Sequence, residues 1–297
     1  MNPSSKELGF CCKNGNQSRV SGMNIKGFEP YEREIAEGNI AIYLASAKTP
    51  DKPILSINAE ALFYPASVCK LFYMACFYDK VQRQELIADE EDWRAVKNMV
   101  AFSSNDATGY MVNRLCDTSS GANLSEAMLS SWVEKRKSTQ RWLEQTHQSI
   151  PSKQYALYHS TVDESPYGRD KQARKVLGGN LVSAYACSQM MAKIFDQNCY
   201  QAEMREQMKQ LLSKHTNENR QAADGLDQVN DFICGSLPLG TKCWSKAGWT
   251  SSVKHETAFI SLDEGDFIIS VFTQGEELAQ KPQIMPDLTR RALRYLD

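Results

Sequence analysis

The sequence predicts an α/β (α+β) architecture: an antiparallel sheet assembled from both ends of the chain, flanked by helices, with an all-helical domain inserted between. Three observations predict it. Strand-like stretches lie near residues 39–58 and again near 257–273. The long interval from about 78 to 221 reads helical, with polar Gln, Glu, Lys and Arg faces. A length of 297 residues suits one or two domains.

The elements follow in order. Residues 1–28 are polar and rich in Gly, Asn, Ser and Lys, and read as a disordered arm. Asn39-Ile-Ala-Ile-Tyr-Leu-Ala-Ser46 and Ile54-Leu-Ser-Ile-Asn58 flank the turn segment Lys48–Pro53 and read as a hairpin. Residues 68–78 are apolar almost all round, the mark of a helix buried mid-domain. Glu126 to Thr146 and Ser183 to Phe195 are the clearest later helices. Thr257–Leu262, the turn Asp263-Glu-Gly-Asp266 and Phe267–Thr273 make a second hairpin, and an amphipathic helix runs from Asp287 to Leu296. The expected division is an arm at 1–28, a sheet domain from 29–66 and 222–297, and a helical domain at 67–221.

Composition excludes several classes. Apolar residues are 42% and charged residues 24%, as in an ordinary globular protein. A formal net charge of -2 gives no footprint for nucleic acid or an anionic membrane. Mean hydropathy is -0.48 and no long apolar run exists, so a transmembrane helix is not expected. The nine cysteines are odd in number and scattered, which argues against a disulfide framework and for a reducing compartment. Cys11 and Cys12 read as a free pair in a floppy arm, with a redox or lipidation site as the sharper alternative. The histidines lie far apart and no C-x-x-C pair occurs, so no metal or other cofactor is implied. With no apolar signal segment, the expectation is a cytoplasmic protein, or a periplasmic one if the start is mis-assigned. The expected partner is a small-molecule substrate, and a monomer is favoured over an oligomer.

Three short motifs carry chemistry. Ser67-Val68-Cys69-Lys70 is an S-x-x-K, a pattern so common that Ser251-Ser-Val-Lys254 matches it too. Context separates them. Lys70 opens the buried apolar helix one turn after Ser67, so the two side chains share a face. A desolvated lysine has a lowered pKa and can take a proton from a nearby hydroxyl. Ser67 sits at a helix N-terminus, where free N–H groups can bind a developing oxyanion. The plain alternative is an N-cap serine and a snorkelling lysine. Ser103-Ser104-Asn105 reads either as an N-cap cluster for a helix over 107–115 or as a hydroxyl and an amide at a cleft edge. Lys246-Ala247-Gly248 reads either as a surface lysine before a turn or as a cation and a glycine where a substrate approaches a strand edge.

In this order the three motifs resemble the S-x-x-K, S-D-N and K-T-G set of the serine β-lactamase and penicillin-binding protein superfamily. Phe63-Tyr-Pro-Ala-Ser-Val-Cys-Lys70 resembles its nucleophile entry, and Ser236-Leu-Pro-Leu-Gly240 its lead-in to the K-T-G strand. The likeness covers residues 36–297, with class A β-lactamases the most similar subgroup, and implies a β-lactamase-like fold. It implies Ser67 as an acylated nucleophile and Lys70 as its base or part of a relay. Ser103 would pass a proton to the leaving group, and Asn105 would bind the substrate amide. Lys246 would hold the substrate carboxylate, beside Gly248. The amides of Ser67 and Trp249 would form the oxyanion hole. Glu164, in Val162-Asp-Glu-Ser-Pro-Tyr-Gly-Arg-Asp170, would assist deacylation, with Asp163 as its competitor. The implied activity is hydrolysis of a β-lactam or related cyclic amide or ester through a Ser67 acyl-enzyme. The alternatives are an esterase or peptidase with a non-antibiotic substrate, and a penicillin-binding or sensor module without turnover.

Four departures qualify the antibiotic reading. Ala247 stands where the family carries a hydroxyl, for which Thr250 or Ser251 is the candidate substitute. Ser104 stands where the family carries Asp, and the family's E-x-x-L-N pattern is missing. The stretch from Ser67 to Ser103 is short, which predicts an open cleft.

Overall fold

The computed structural model describes residues 26–214 and 229–296. Cys11, Cys12 and most of the proposed arm lie outside the described residues. After a short helix α1 (Glu32–Ala36), strands β1 (Ile40–Ser46) and β2 (Pro53–Ile57) form the first hairpin. A 3-10 turn (Ala66–Cys69) runs into α2 (Lys70–Gln82), followed by α3 (Glu90–Ala101), α4 (Asn105–Cys116), α5 (Glu126–Arg136) and α6 (Ser138–Thr146). Strand β3 (Tyr155–Ala156), helix α7 (Gly168–Leu177) and strand β4 (Leu181–Val182) precede α8 (Ala184–Phe195) and α9 (Ala202–Leu212). Then come β5 (Lys242–Trp249), β6 (Val253–Leu262), β7 (Gly265–Gln274), α10 (Glu276–Ala279) and α11 (Ile284–Leu293).

The five-stranded sheet has the order β2-β1-β7-β6-β5, and all its pairs are antiparallel. Both chain ends therefore build one sheet, as the sequence predicts. Strand β1 is apolar at nearly every position because both of its faces are covered. Ile40, Ile42 and Leu44 pack toward Met285 and Leu288 of α11, while Ala41, Tyr43 and Ala45 join the larger core that surrounds α2. Pro53 opens the edge strand β2, where its missing N–H costs no ladder bond.

Helix α2 is buried from Lys70 through Asp79, as its all-round apolar sequence requires. Helix α8, capped by Ser183, lies on the sheet itself, with Ser188 Oγ 2.7 Å from Ser270 Oγ of β7.

Four features differ from the expectation. The predicted continuous helix over 126–146 breaks at Lys137. Its first half buries Trp132 and Val133 against Ala173 of α7, whereas its second half aims Trp142 at Asp79 of α2, with Nε1 donating to the carboxylate at 2.7 Å. Two partners in different directions demand two axes. The ribbon β3–β4 gave no strand signal because it is two residues long. The last helix starts at Ile284 rather than Asp287, since Pro286 falls in its first turn, where no intrahelical N–H is needed. Finally, Cys234 and Cys243 form a disulfide, with Cα atoms 6.4 Å apart. The turn that carries Cys234 folds back beside β5, and Ile233 N–H donates to the buried Glu256 carboxylate at 2.5 Å. Cys69, Cys76, Cys116, Cys187 and Cys199 remain thiols.

Candidate active site

The site forms where the α2 entry, the start of α4, strand β5 and the loop before α7 meet. Ser67 lies half-buried in the 3-10 turn that feeds α2. The residue before it, Ala66, holds φ at +44, a left-handed conformation costly for a residue with a Cβ, roughly 1–3 kcal/mol. The surrounding contacts enforce it. Phe63 exchanges both backbone hydrogen bonds with Val182 of β4, at 2.9 and 3.0 Å, and Val68 N–H donates to Pro65 O at 3.1 Å. The Ser67 amide N–H donates to no acceptor among the described residues.

Strand β5 presses on this turn from the other side. A Cβ on Gly248 would fall 2.6 Å from Ser67 N, 2.7 Å from Val68 N and 2.9 Å from Pro65 O, all rigid backbone atoms. Only glycine allows the strand this close. Two residues on, Thr250 N–H donates to Val253 O at 2.9 Å across the β5–β6 turn. Antiparallel alternation then directs the Trp249 N–H away from β6, to the outer side of β5. The Trp249 ring itself packs on Phe232, centroids 5.5 Å apart.

Two buried lysines converge on one hydroxyl. Lys70 Nζ donates to Ser103 O (2.6 Å), Asn105 Oδ1 (2.8 Å) and Ser103 Oγ (3.3 Å). Lys246 Nζ donates to Ser103 Oγ (3.0 Å) and to Ala247 O (2.8 Å). Ser103 is itself left-handed, φ +57, and Ser104 caps α4 with Oγ 3.2 Å from Ala107 N. With both Ser103 lone pairs facing lysine donors, its own O–H is left to point elsewhere. Burial pulls the Lys70 pKa down to about 8, against the opposing pull of Cys69 and Asp163. Lys246 is held well below the ordinary lysine value, first by burial and then by the neighbouring charge of Lys70. Lys70 Nζ makes no hydrogen bond to Ser67 Oγ in this structure.

The loop before α7 grips Asn105. Thr161 Oγ1 donates to Asn105 Oδ1 at 2.5 Å, and Asn105 Nδ2 donates to the Asp163 carboxylate. Asn180 Nδ2 and Tyr73 O–H both donate to His159 O at 2.6 Å, and Arg174 donates to Ser160 O at 2.9 Å, so the loop stem is pinned. The carboxylate brought to the site is therefore Asp163. Glu164 is exposed and makes no hydrogen bond or ion pair with a described residue. Thr161 is a site residue that the motifs did not reveal, and only its place two positions before Asp163 hinted at it.

The remaining candidates are less central. Thr250 sits exposed in the β5–β6 turn, where its hydroxyl accepts from Ser252 N–H at 3.2 Å. Ala247 is buried in the core on the α11 side of the sheet. Among the described residues no group of three His, Cys, Asp or Glu is placed to hold a metal ion, and no helix is long and apolar enough to cross a membrane.

Residues 30–296 match the family model described as the beta-lactamase enzyme family. No curated protein matches the chain. Solved structures do. A beta-lactamase from Chitinophaga pinensis is 14% identical, with 89% of this chain and 95% of that one covered at a TM-score of 0.61. A beta-lactamase from Sphaerobacter thermophilus is 14% identical, with 88% and 94% covered at 0.59. The protein titled PBP-A is 15% identical, with 86% and 89% covered at 0.56. At these identities the likeness is one of fold.

Proposed function

The chain belongs to the beta-lactamase enzyme family, and from that premise we propose that it is a serine hydrolase that forms a Ser67 acyl-enzyme and hydrolyses a β-lactam or related cyclic amide or ester. The convergence of Lys70 and Lys246 on Ser103 Oγ, beside a serine whose amide is unengaged, carries this reading.

Ser67 Oγ attacks the carbonyl carbon and its proton passes to neutral Lys70. That transfer exchanges the long 3.3 Å contact of Lys70 with Ser103 Oγ for one with Ser67. The amides of Ser67 and Trp249 stabilise the oxyanion. Ser103 donates its proton to the leaving nitrogen or oxygen as the acyl C–N or C–O bond breaks, and is reprotonated from a lysine. A water then attacks the acyl carbon, giving its proton to a loop carboxylate, and the acyl C–O bond to Ser67 breaks as that proton is passed on to Ser67 Oγ. Proximity to Asn105 favours Asp163 for that carboxylate over Glu164.

A second reading, an esterase or peptidase with a non-antibiotic substrate, is favoured by one observation: the hydroxyl that the resemblance assigns to carboxylate binding is replaced by the buried Ala247.

Intact mass followed over time with a penicillin, beside Ser67→Ala, tests these readings. An adduct that needs Ser67 and clears to hydrolysed product supports turnover. An adduct that stays supports a sensor or penicillin-binding role. No penicillin adduct, with labelling by simple esters, supports the second reading.

A further inference from the structure

The Ser67 turn carries an unfavourable backbone, and something outside the turn has to hold it. Every carbonyl from Phe63 to Ala66 accepts a hydrogen bond: Phe63 O from Val182 N–H (3.0 Å), Tyr64 O from the His255 ring (3.0 Å), Pro65 O from Val68 N–H (3.1 Å) and Ala66 O from Cys69 Sγ (3.1 Å). Of these, the His255 bond alone is made by a side chain from the sheet.

His255 is built into its place. It is fully buried on β6, directly opposite Gly248 of β5, where any Cβ would run into the Ser67 and Val68 amides. Its ring stacks on Phe272 of β7, centroids 4.3 Å apart and planes 18° off parallel, and meets the edge of Phe63 at 5.7 Å. Nδ1 accepts from Thr273 N–H at 3.1 Å, so the ring proton resides on Nε2 and is donated to Tyr64 O. Burial drops the ring pKa to about 4, which keeps it neutral at ordinary pH.

From this geometry we infer that His255 is a positioning residue for Ser67: its Nε2–H clamps Tyr64 O to the sheet and so sets the strained Ala66–Ser67 turn against strand β5. The role goes beyond the proposed reaction and rests on that reading only where a rate is measured. His255 touches no substrate and transfers no proton. It holds two parts of the oxyanion pocket, the Ser67 amide and the β5 edge, at a fixed spacing, and such spacing governs rate steeply.

The test compares two buried amides at this position. His255→Gln carries an N–H near the place of Nε2 and keeps the bond to Tyr64 O. His255→Asn places an oxygen near Nδ1, satisfies Thr273 N–H, and falls short of Tyr64. Hydrogen exchange of the 63–69 backbone and the acylation rate by a penicillin and by a fluorophosphonate are read for each. The expected result is faster exchange in 63–69 and acylation slowed roughly ten-fold or more in His255→Asn, with His255→Gln close to the unsubstituted protein. The pH profile of acylation keeps its midpoint in both, because the ring is not a titrating participant. Equal exchange in the two variants overturns the inference. If neither probe labels Ser67 in the unsubstituted protein, the proposed function fails while the exchange comparison still decides the role of His255.

Discussion

Lys246 Nζ lies 3.0 Å from Ser103 Oγ, joining strand β5 to the start of α4 across 143 positions of sequence. The same hydroxyl lies 3.3 Å from Lys70 Nζ. One oxygen thus receives donors from the sheet and from the central helix, and its proton is turned away from both.

That arrangement makes Ser103 the relay. Ser103→Ala is expected to slow Ser67 acylation roughly 10²–10⁴-fold, the range for loss of a positioned proton donor. Lys246→Met removes the amine donor from the same oxygen and is expected to slow it comparably. Stopped-flow acylation with a penicillin or an activated ester measures both, and full activity in Ser103→Ala would remove the relay from the mechanism.

The pH dependence follows from Lys70. Its pKa is near 8, and the base must be neutral to accept the Ser67 proton. Acylation should therefore rise with pH and level off above about 8. Asp163 favours the charged lysine, so Asp163→Asn should move the midpoint to lower pH. The same substitution should lengthen the life of the acyl-enzyme, whereas Glu164→Gln should do neither. A midpoint that moves upward in Asp163→Asn would contradict the assigned sign.

Gly248→Ala should part β5 from the Ser67 turn. Its Cβ meets three backbone atoms at or below 2.9 Å, and none of them belongs to a flexible side chain. A cost of about 1–3 kcal/mol is expected from forced overpacking, together with slower acylation. Urea denaturation and acylation kinetics on one preparation read both effects.

The loop that carries Thr161 and Asp163 leads into α7, whose Asp170 pairs with the buried Arg136 at 2.8 Å. Arg136 also donates to Asn113 Oδ1 at 2.8 Å and lies 4.4 Å from the Trp132 ring centroid. Asp170→Ala would leave a guanidinium that is 1% exposed without its carboxylate. Breaking one side of such a pair costs about 3–5 kcal/mol, which chemical denaturation would measure. A loss of stability within measurement error would mean that Asn113 and Trp132 suffice.

Pieces whose chemistry is local are legible in the residues alone. Near-continuous apolar runs specify β1, β7 and the second half of β6, because a strand buried on both faces needs little more than its own residues to declare it. The unbroken apolar run specifies α2, and a three-residue spacing puts Ser67 and Lys70 on one turn. Tertiary structure decided what depends on distant partners. Helices α5 and α6 separate at Lys137 without Gly or Pro, since Trp132 and Trp142 are drawn to different neighbours. Cys234 finds Cys243 because a turn folds back on β5. Asp163 and Glu164 are chemically near equals in sequence. Pinning of the loop at His159 and Ser160 brings Asp163 to Asn105, while Glu164 stays in solvent. Facing in a loop follows from where its stem is tied, and those ties come from α2, α7 and Asn180.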